Sequence, residues 1–197
     1  METTPLTPGN FYHIYNRGVN KENIFREERN YHYFLEQYRH YCSAVFETYA
    51  YALLKNHFHL LVCVTEAKPV TRKDGKGLYQ PEASRQLSHF FNSYAQSINK
   101  AYNRTGQLFE SPFHRKEITN DAAITSVIYY CHFNAQRHGF VSDFRNWPHS
   151  SYAAICKGQH SWLAVEKVLD WFGGVQQFEK AHTVMLNNSL HPDWWGE

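Results

Sequence analysis

The sequence has no pair of cysteines at metal-binding or redox spacing. Its four cysteines stand apart at positions 42, 63, 131 and 156, which argues against a structural or redox zinc protein. The N-terminal METTPLTPGN lacks the basic-plus-apolar pattern of a signal peptide, and no run of 18 apolar residues occurs. No membrane association is therefore expected. A reduced, cytoplasmic compartment is, with the cysteines as small core residues. There is no internal repeat, which sets stacked-repeat architectures aside.

A strong net charge is lacking too. The formal value is +2 at pH 7, which neither demands nor excludes nucleic acid. The distribution says more. Between positions 68 and 116 nine basic residues (Lys68, Arg72, Lys73, Lys76, Arg85, Lys100, Arg104, Arg115, Lys116) stand against three acidic ones (Asp74, Glu82, Glu110). A basic middle third on a near-neutral chain is expected where one face meets phosphates, although a solvated basic face has the same composition.

What the chain does have is apolar and aromatic mass. Of its 197 residues 43% are hydrophobic and 17% aromatic, enough to bury a real core in one domain of ordinary size. So many tyrosines suit either stacking on a flat partner or a half-wet core. Residues 1–9 read as a polar tail, and 11–15 as a strand that breaks at Asn16-Arg17-Gly18. Over 27–45 the apolar residues recur at helical spacing. Two strands follow, over 46–54 and 57–64, with Lys55-Asn56 as the turn. The polar, basic stretch 65–82 reads as a mobile loop. Then come a helix over 84–102, a strand over 113–118, and a helix over 121–137 capped by Asn120. The order β-α-β-β-α-β-α predicts an α+β fold, a ferredoxin-like, mostly antiparallel sheet with packed helices. On this division residues 1–140 form the main domain. Residues 141–197 form a helical C-terminal extension, with helices over 150–156, 163–172 and 175–186.

Chemistry is concentrated in two segments. In Asn56-His57-Phe58-His59-Leu60-Leu61-Val62, strand alternation puts His57 and His59 on one face, about 6–7 Å apart, and the apolar residues on the other. Two such imidazoles can grip one divalent cation. Thirteen histidines make a chance His-x-His easy, so this pattern alone is modest. In the helix over 121–137, Tyr130, Asn134 and Arg137 share a face. That stripe offers a phenol, an amide oxygen able to ligate a metal and a phosphate-binding guanidinium. A lone tyrosine would read as half-buried core; the combination carries the weight.

Four stretches resemble the single-tyrosine HUH transposases, and among them the REP-associated tyrosine transposases. They are Phe11 to Gly18 with its Tyr-Asn-Arg-Gly ending, Tyr51 to Val62 around His57-Phe58-His59, Arg104 through Phe109 to Phe113 and Lys116, and Tyr130 to Val141. Trp147 and Ser150-Ser151-Tyr152 match the family's Trp-x-x-Ser-Ser-Tyr. The likeness covers roughly residues 10–155, in order. Two departures stand out: Lys55 precedes Asn56-His57, and Ala135 follows Asn134, where the family has proline. Ala135 is expected to alter the bend at the end of the tyrosine helix.

The resemblance implies an endonuclease that cuts and rejoins single-stranded DNA through a 5′-phosphotyrosine, acting at palindromic hairpins with a short unpaired flank. Tyr130 would be the nucleophile. Tyr129 is the rival, about 100° round the helix, but only Tyr130 has Asn134 one turn further on. A Mg²⁺ or Mn²⁺ on His57, His59 and Asn134 would neutralise the developing phosphate charge, and the imidazoles favour Mn²⁺. Asn16, Arg17, Lys100, Arg104, Arg115, Lys116 and Arg137 are the candidates for DNA contact. The expected partner is single-stranded DNA or a DNA hairpin, bound by a monomer or a homodimer. Two other readings remain: an HUH replication initiator or relaxase, and a hairpin-binding protein that has lost cleavage.

Overall fold

The computed structural model describes residues 4–67, 69–71, 75–159 and 162–187. Its elements run β1 (Phe11–Arg17), α1 (Glu28–Cys42), β2 (Phe46–Leu54), β3 (His57–Val64), β4 (Val70–Thr71), β5 (Leu78–Tyr79), α2 (Ala83–Ala101), β6 (His114–Ile118), α3 (Asp121–Arg137), α4 (Tyr152–Cys156), α5 (Val165–Phe172) and α6 (Val175–Asn187). Four strands form an antiparallel sheet in the order β2-β3-β1-β6. This is the ferredoxin-like order anticipated from the sequence, and the fold is mixed α and β. Among the described residues no helix is long and apolar enough to cross a membrane.

Alternation along β3 divides the sheet into two unlike faces. Phe58 points to the face covered by α1 and α2, where its ring meets Phe34 at 5.0 Å and Phe91 at 5.6 Å. Phe34 in turn meets Phe25, Phe90 and Tyr94 within 5.1 Å. These rings form a dry aromatic layer, and all but Phe91 are almost fully buried. The other face of β2 and β3 lies under α3, whose start is set by the Asn120 Oδ1 accepting from Ala123 N at 2.8 Å. That face carries histidines instead.

The structure bears on three expectations. The first is the N-terminal tail. From Pro5 on it is tied down, because the Tyr12 hydroxyl donates to Pro5 O at 2.9 Å and accepts from Thr7 N at 3.0 Å. A buried phenol needs such partners. The second is the loop at 65–82, which contains the short antiparallel pair β4–β5; its residues 68 and 72–74 lie outside the described residues. The third is the altered bend at Ala135, which stands where the family has proline. The helix α3 runs unbroken through it to Arg137, because alanine keeps the N–H that proline lacks.

The C-terminal segment is fastened to α3 and β2 by a buried relay. The Phe178 carbonyl can only accept, so His182 Nδ1, 2.8 Å away, carries its proton. Neutral His182 then accepts at Nε2 from His132 Nδ1 at 2.8 Å. His132 Nε2 in turn accepts from Ser151 Oγ at 2.8 Å, which accepts from Tyr51 N at 3.0 Å. Every nitrogen is used. Burial pushes the His182 imidazole down to about 4 and His132 well below its ordinary value.

Two predictions follow from this packing. Phe58→Ala should lower unfolding free energy by about 3–5 kcal/mol in urea titrations, because it empties a ring-sized space in the aromatic layer. His182 binds a proton more weakly folded than unfolded. Its contribution is therefore complete above about pH 6.5 and is lost as pH falls toward 4, at about 1.4 kcal/mol per pH unit. The stability of the wild type should decline through this window, and the decline should be shallower in His182→Phe.

Candidate active site

The turn after β1 places the site's first element. The Gly18 N–H donates to Asn56 O at 2.8 Å, and a Cβ at Gly18 would collide with the Glu22 carbonyl oxygen. Glycine thus permits the tight turn over 18–22, while its backbone N–H ties the end of β1 to Asn56 in the β2–β3 turn. The Asn56 Oδ1 then sits 2.8 Å from His57 Nδ1. On the other side of the ring, His57 Nε2 lies 3.0 Å from Asn134 Oδ1 on α3. A strand histidine and a helix amide 77 positions apart are brought together, as their separate periodicities implied.

His59 is the neighbour one step along the same face. It is almost fully buried, with its ring 5.2 Å from that of His57. Its Nδ1 lies 3.0 Å from His13 Nε2 on β1, and its Nε2 has no hydrogen-bond partner. Asn134 Nδ2 is likewise buried and unpartnered. The Tyr130 ring stands edge-on to both imidazoles, 4.9 Å from His59 and 5.7 Å from His13. Tyr130 itself is only 5% exposed.

Burial dominates the electrostatics. It pushes His13 down to about 3, helped by the Lys116 ammonium. His59 is held well below its ordinary value by burial and then by His13, His57, His138 and Arg137. Both imidazoles are therefore neutral, the state in which a ring nitrogen can ligate a metal. Among the described residues no three His, Cys, Asp or Glu side chains group closely enough to hold a metal. A cation here would need the Asn134 oxygen beside His57 and His59.

The adjacent tyrosines separate. Tyr129 packs against the C-terminal helices, its ring 5.6 Å from Phe172 and 4.6 Å from His182, and burial raises its pKa. Tyr130 alone faces the histidines.

The sequence-derived DNA contacts scatter. Arg137 is exposed beside the site, its guanidinium 6.0 Å from the Tyr130 ring. Lys116 is exposed on β6 opposite His13. Arg115 points to the other face, where Nη1 donates to Ser84 Oγ at 3.0 Å, so strand alternation parts the two. Asn16 is buried; its amide donates to Glu110 O at 3.0 Å and its Oδ1 accepts from Arg17 N. It shapes the turn and offers no surface to DNA. Arg17 is exposed but paired with Glu110 at 2.7 Å. Arg104 is largely enclosed, held by Glu22 and by Asn99 Oδ1 at 2.7 Å. Lys100 is exposed near the end of α2, a helix packed with α1 away from the histidine face.

Three side chains that sequence reasoning left out join the site. His13 contacts His59, the His138 ring lies 4.8 Å from His57, and Tyr15 stacks between His13 and His114, 4.9 Å from each. The signal for His13 and Tyr15 was present: they share a strand face two residues apart. What was missing is the β1–β3 register that sets them beside β3.

No family model matches the chain. A Haemophilus influenzae protein named as a REP-associated tyrosine transposase is 25% identical over 130 residues, which cover 64% of this chain and 70% of that protein. A solved structure of a REP-associated tyrosine transposase bound to a REP hairpin superposes with a TM-score of 0.56 at 15% identity, over 84% of this chain and 88% of that one. In the order of its motifs and in its fold, the chain is similar to the REP-associated tyrosine transposases.

Proposed function

We propose that this chain is a transposase-like enzyme that cuts and rejoins single-stranded DNA at hairpins, with Tyr130 as nucleophile. The observation that carries the reading is convergence. A phenol from α3, two imidazoles from β3 and an amide from α3 meet at one spot under the helix. The hairpin in the neighbouring solved structure supports the substrate class.

The residues fit a divalent cation. His59 Nε2 is a buried nitrogen with no partner. His57 Nε2 and Asn134 Oδ1 face each other at 3.0 Å, as two ligands of one ion would. His57, His59 and Asn134 would hold it, and two imidazoles with one oxygen suit Mn²⁺ better than Mg²⁺. When bound, such an ion neutralises charge on the scissile phosphate.

The chain's own groups do the rest. The Tyr130 oxygen bonds to phosphorus as the bond to the 3′ oxygen breaks. The phenol gives up one proton and the departing 3′ oxygen gains one, so the exchange consumes no ATP. Rejoining is the same step reversed, with the 3′-OH as nucleophile. Arg137 and Lys116, exposed on either side of the histidines, supply positive charge for the DNA backbone. His13 and Tyr15 form the floor beside them.

One observation favours a second reading, binding without cleavage: Tyr130 is only 5% exposed, so its oxygen must become accessible when DNA binds. A denaturant-resistant protein–DNA adduct separates the two. Tyr130→Phe removes one oxygen and should abolish the adduct while leaving fold and hairpin affinity unchanged. Tyr129→Phe should keep most activity. An adduct mapped to Tyr129 would overturn Tyr130 as nucleophile and Asn134 as third ligand, whereas no adduct from the wild type with Mn²⁺ or Mg²⁺ would refute the enzyme reading. Hairpin affinity should also fall steeply with salt. Replacing Lys116 and Arg137 together should flatten that slope by about one to two units, and an unchanged slope would show that neither meets a phosphate.

A further inference from the structure

His13 is an oddity of the fold. It occupies an inward position on a central strand, is 1% exposed, and stands where an aliphatic side chain would pack at lower cost. Its position in the register is informative. His13 pairs with Leu61 and Tyr15 with His59, so His13 reaches His59 along the diagonal between neighbouring strands, within range for a ring. The two imidazoles lie near-parallel, with centroids 5.1 Å apart at 21°, and His13 Nε2 meets His59 Nδ1 at 3.0 Å.

We propose that His13 is a positioning residue, which accepts the Nδ1 proton of His59 and so fixes the tautomer whose Nε2 lone pair can hold a divalent cation. This rests on the reading of His59 as a metal ligand. A neutral imidazole has one N–H. When His59 spends it on His13, its Nε2 is a lone pair. The opposite polarity would put the His59 proton on Nε2 and close that nitrogen to any cation. His13 is also held in place. Tyr15 stacks on it at 4.9 Å and the Tyr130 ring abuts it edge-on at 5.7 Å, so the acceptor cannot turn away.

A second histidine repeats the arrangement. His57 has its Nδ1 2.8 Å from Asn56 Oδ1 and presents Nε2 to Asn134. Both candidate ligands thus have Nδ1 occupied by a dedicated partner, one from the β2–β3 turn and one from β1. Metal-bound histidines are generally held in this way, through the nitrogen that does not touch the ion.

The test uses the full chain. In ¹⁵N spectra of the metal-free protein, His59 should show a protonated Nδ1 and a bare Nε2. His13→Gln keeps an acceptor oxygen and should preserve that signature, whereas His13→Leu should lose it. Mn²⁺ affinity, measured by titration, should fall about 10- to 100-fold in His13→Leu and remain close to wild type in His13→Gln. A wild-type His59 protonated on Nε2 would overturn the proposal even if His13→Leu did not fold, and so would equal Mn²⁺ affinity in wild type and His13→Leu. A wild type that shows the Nδ1–H tautomer yet takes up no Mn²⁺ sensitive to His57→Ala would overturn the metal reading and leave the His13–His59 bond standing.

Discussion

Everything at the site depends on a helix packed over a strand that carries imidazoles where aliphatic side chains would ordinarily lie. Under α3 there is little water to satisfy a ring nitrogen, and a buried polar group without a partner is costly. The chain meets this with histidine pairs. His132 and His182 form one, and Ser151, Tyr51 and Phe178 complete it until no nitrogen is left over. His13 and His59 form the other, which is left incomplete at His59 Nε2. Two relays of similar composition lie on the two sides of one helix. The closed one is a fastening; the open one has spare bonding capacity, and native proteins tolerate that chiefly where something else is to be bound.

The aromatic layer on the opposite face makes such a site affordable. Phe58 lies between His57 and His59 in sequence and points the other way, into the rings of Phe34 and Phe91. A one-residue slip of β3 would exchange the two faces, placing imidazoles in the dry layer and a phenyl ring under Tyr130. The register of the histidines is therefore enforced from behind. The same alternation parts Arg115 from Lys116 on β6, so adjacent basic residues in the chain do not amount to one basic surface.

Local patterns were legible in the sequence to the extent that they are periodic. The β3 alternation, the Asn120 cap and the Tyr130–Asn134–Arg137 stripe each have a single period to read, and the strand order followed from the β-α-β-β-α-β succession. Partnerships between elements left no such trace. Nothing in Phe11–Arg17 announces that His13 will lie diagonally beside His59, because register is set by the whole sheet. Asn16 and Arg104 look like surface polar residues until Glu110, Glu22 and Asn99 are brought to them. The anchoring of the N-terminal tail left no trace because the acceptor for the Tyr12 hydroxyl, the Pro5 carbonyl, is a backbone atom that no side-chain pattern reports.

The neighbouring tyrosines have a mechanical consequence. Tyr129 is wedged against Phe172 and His182 while Tyr130, one residue on, faces His13 and His59. Any roll of α3 that swung Tyr130 outward would pull Tyr129 off the rings of Phe172 and His182. Those contacts key the helix against rolling. On the proposed chemistry, opening a path to the Tyr130 oxygen falls to the side chains around it rather than to a turn of the helix.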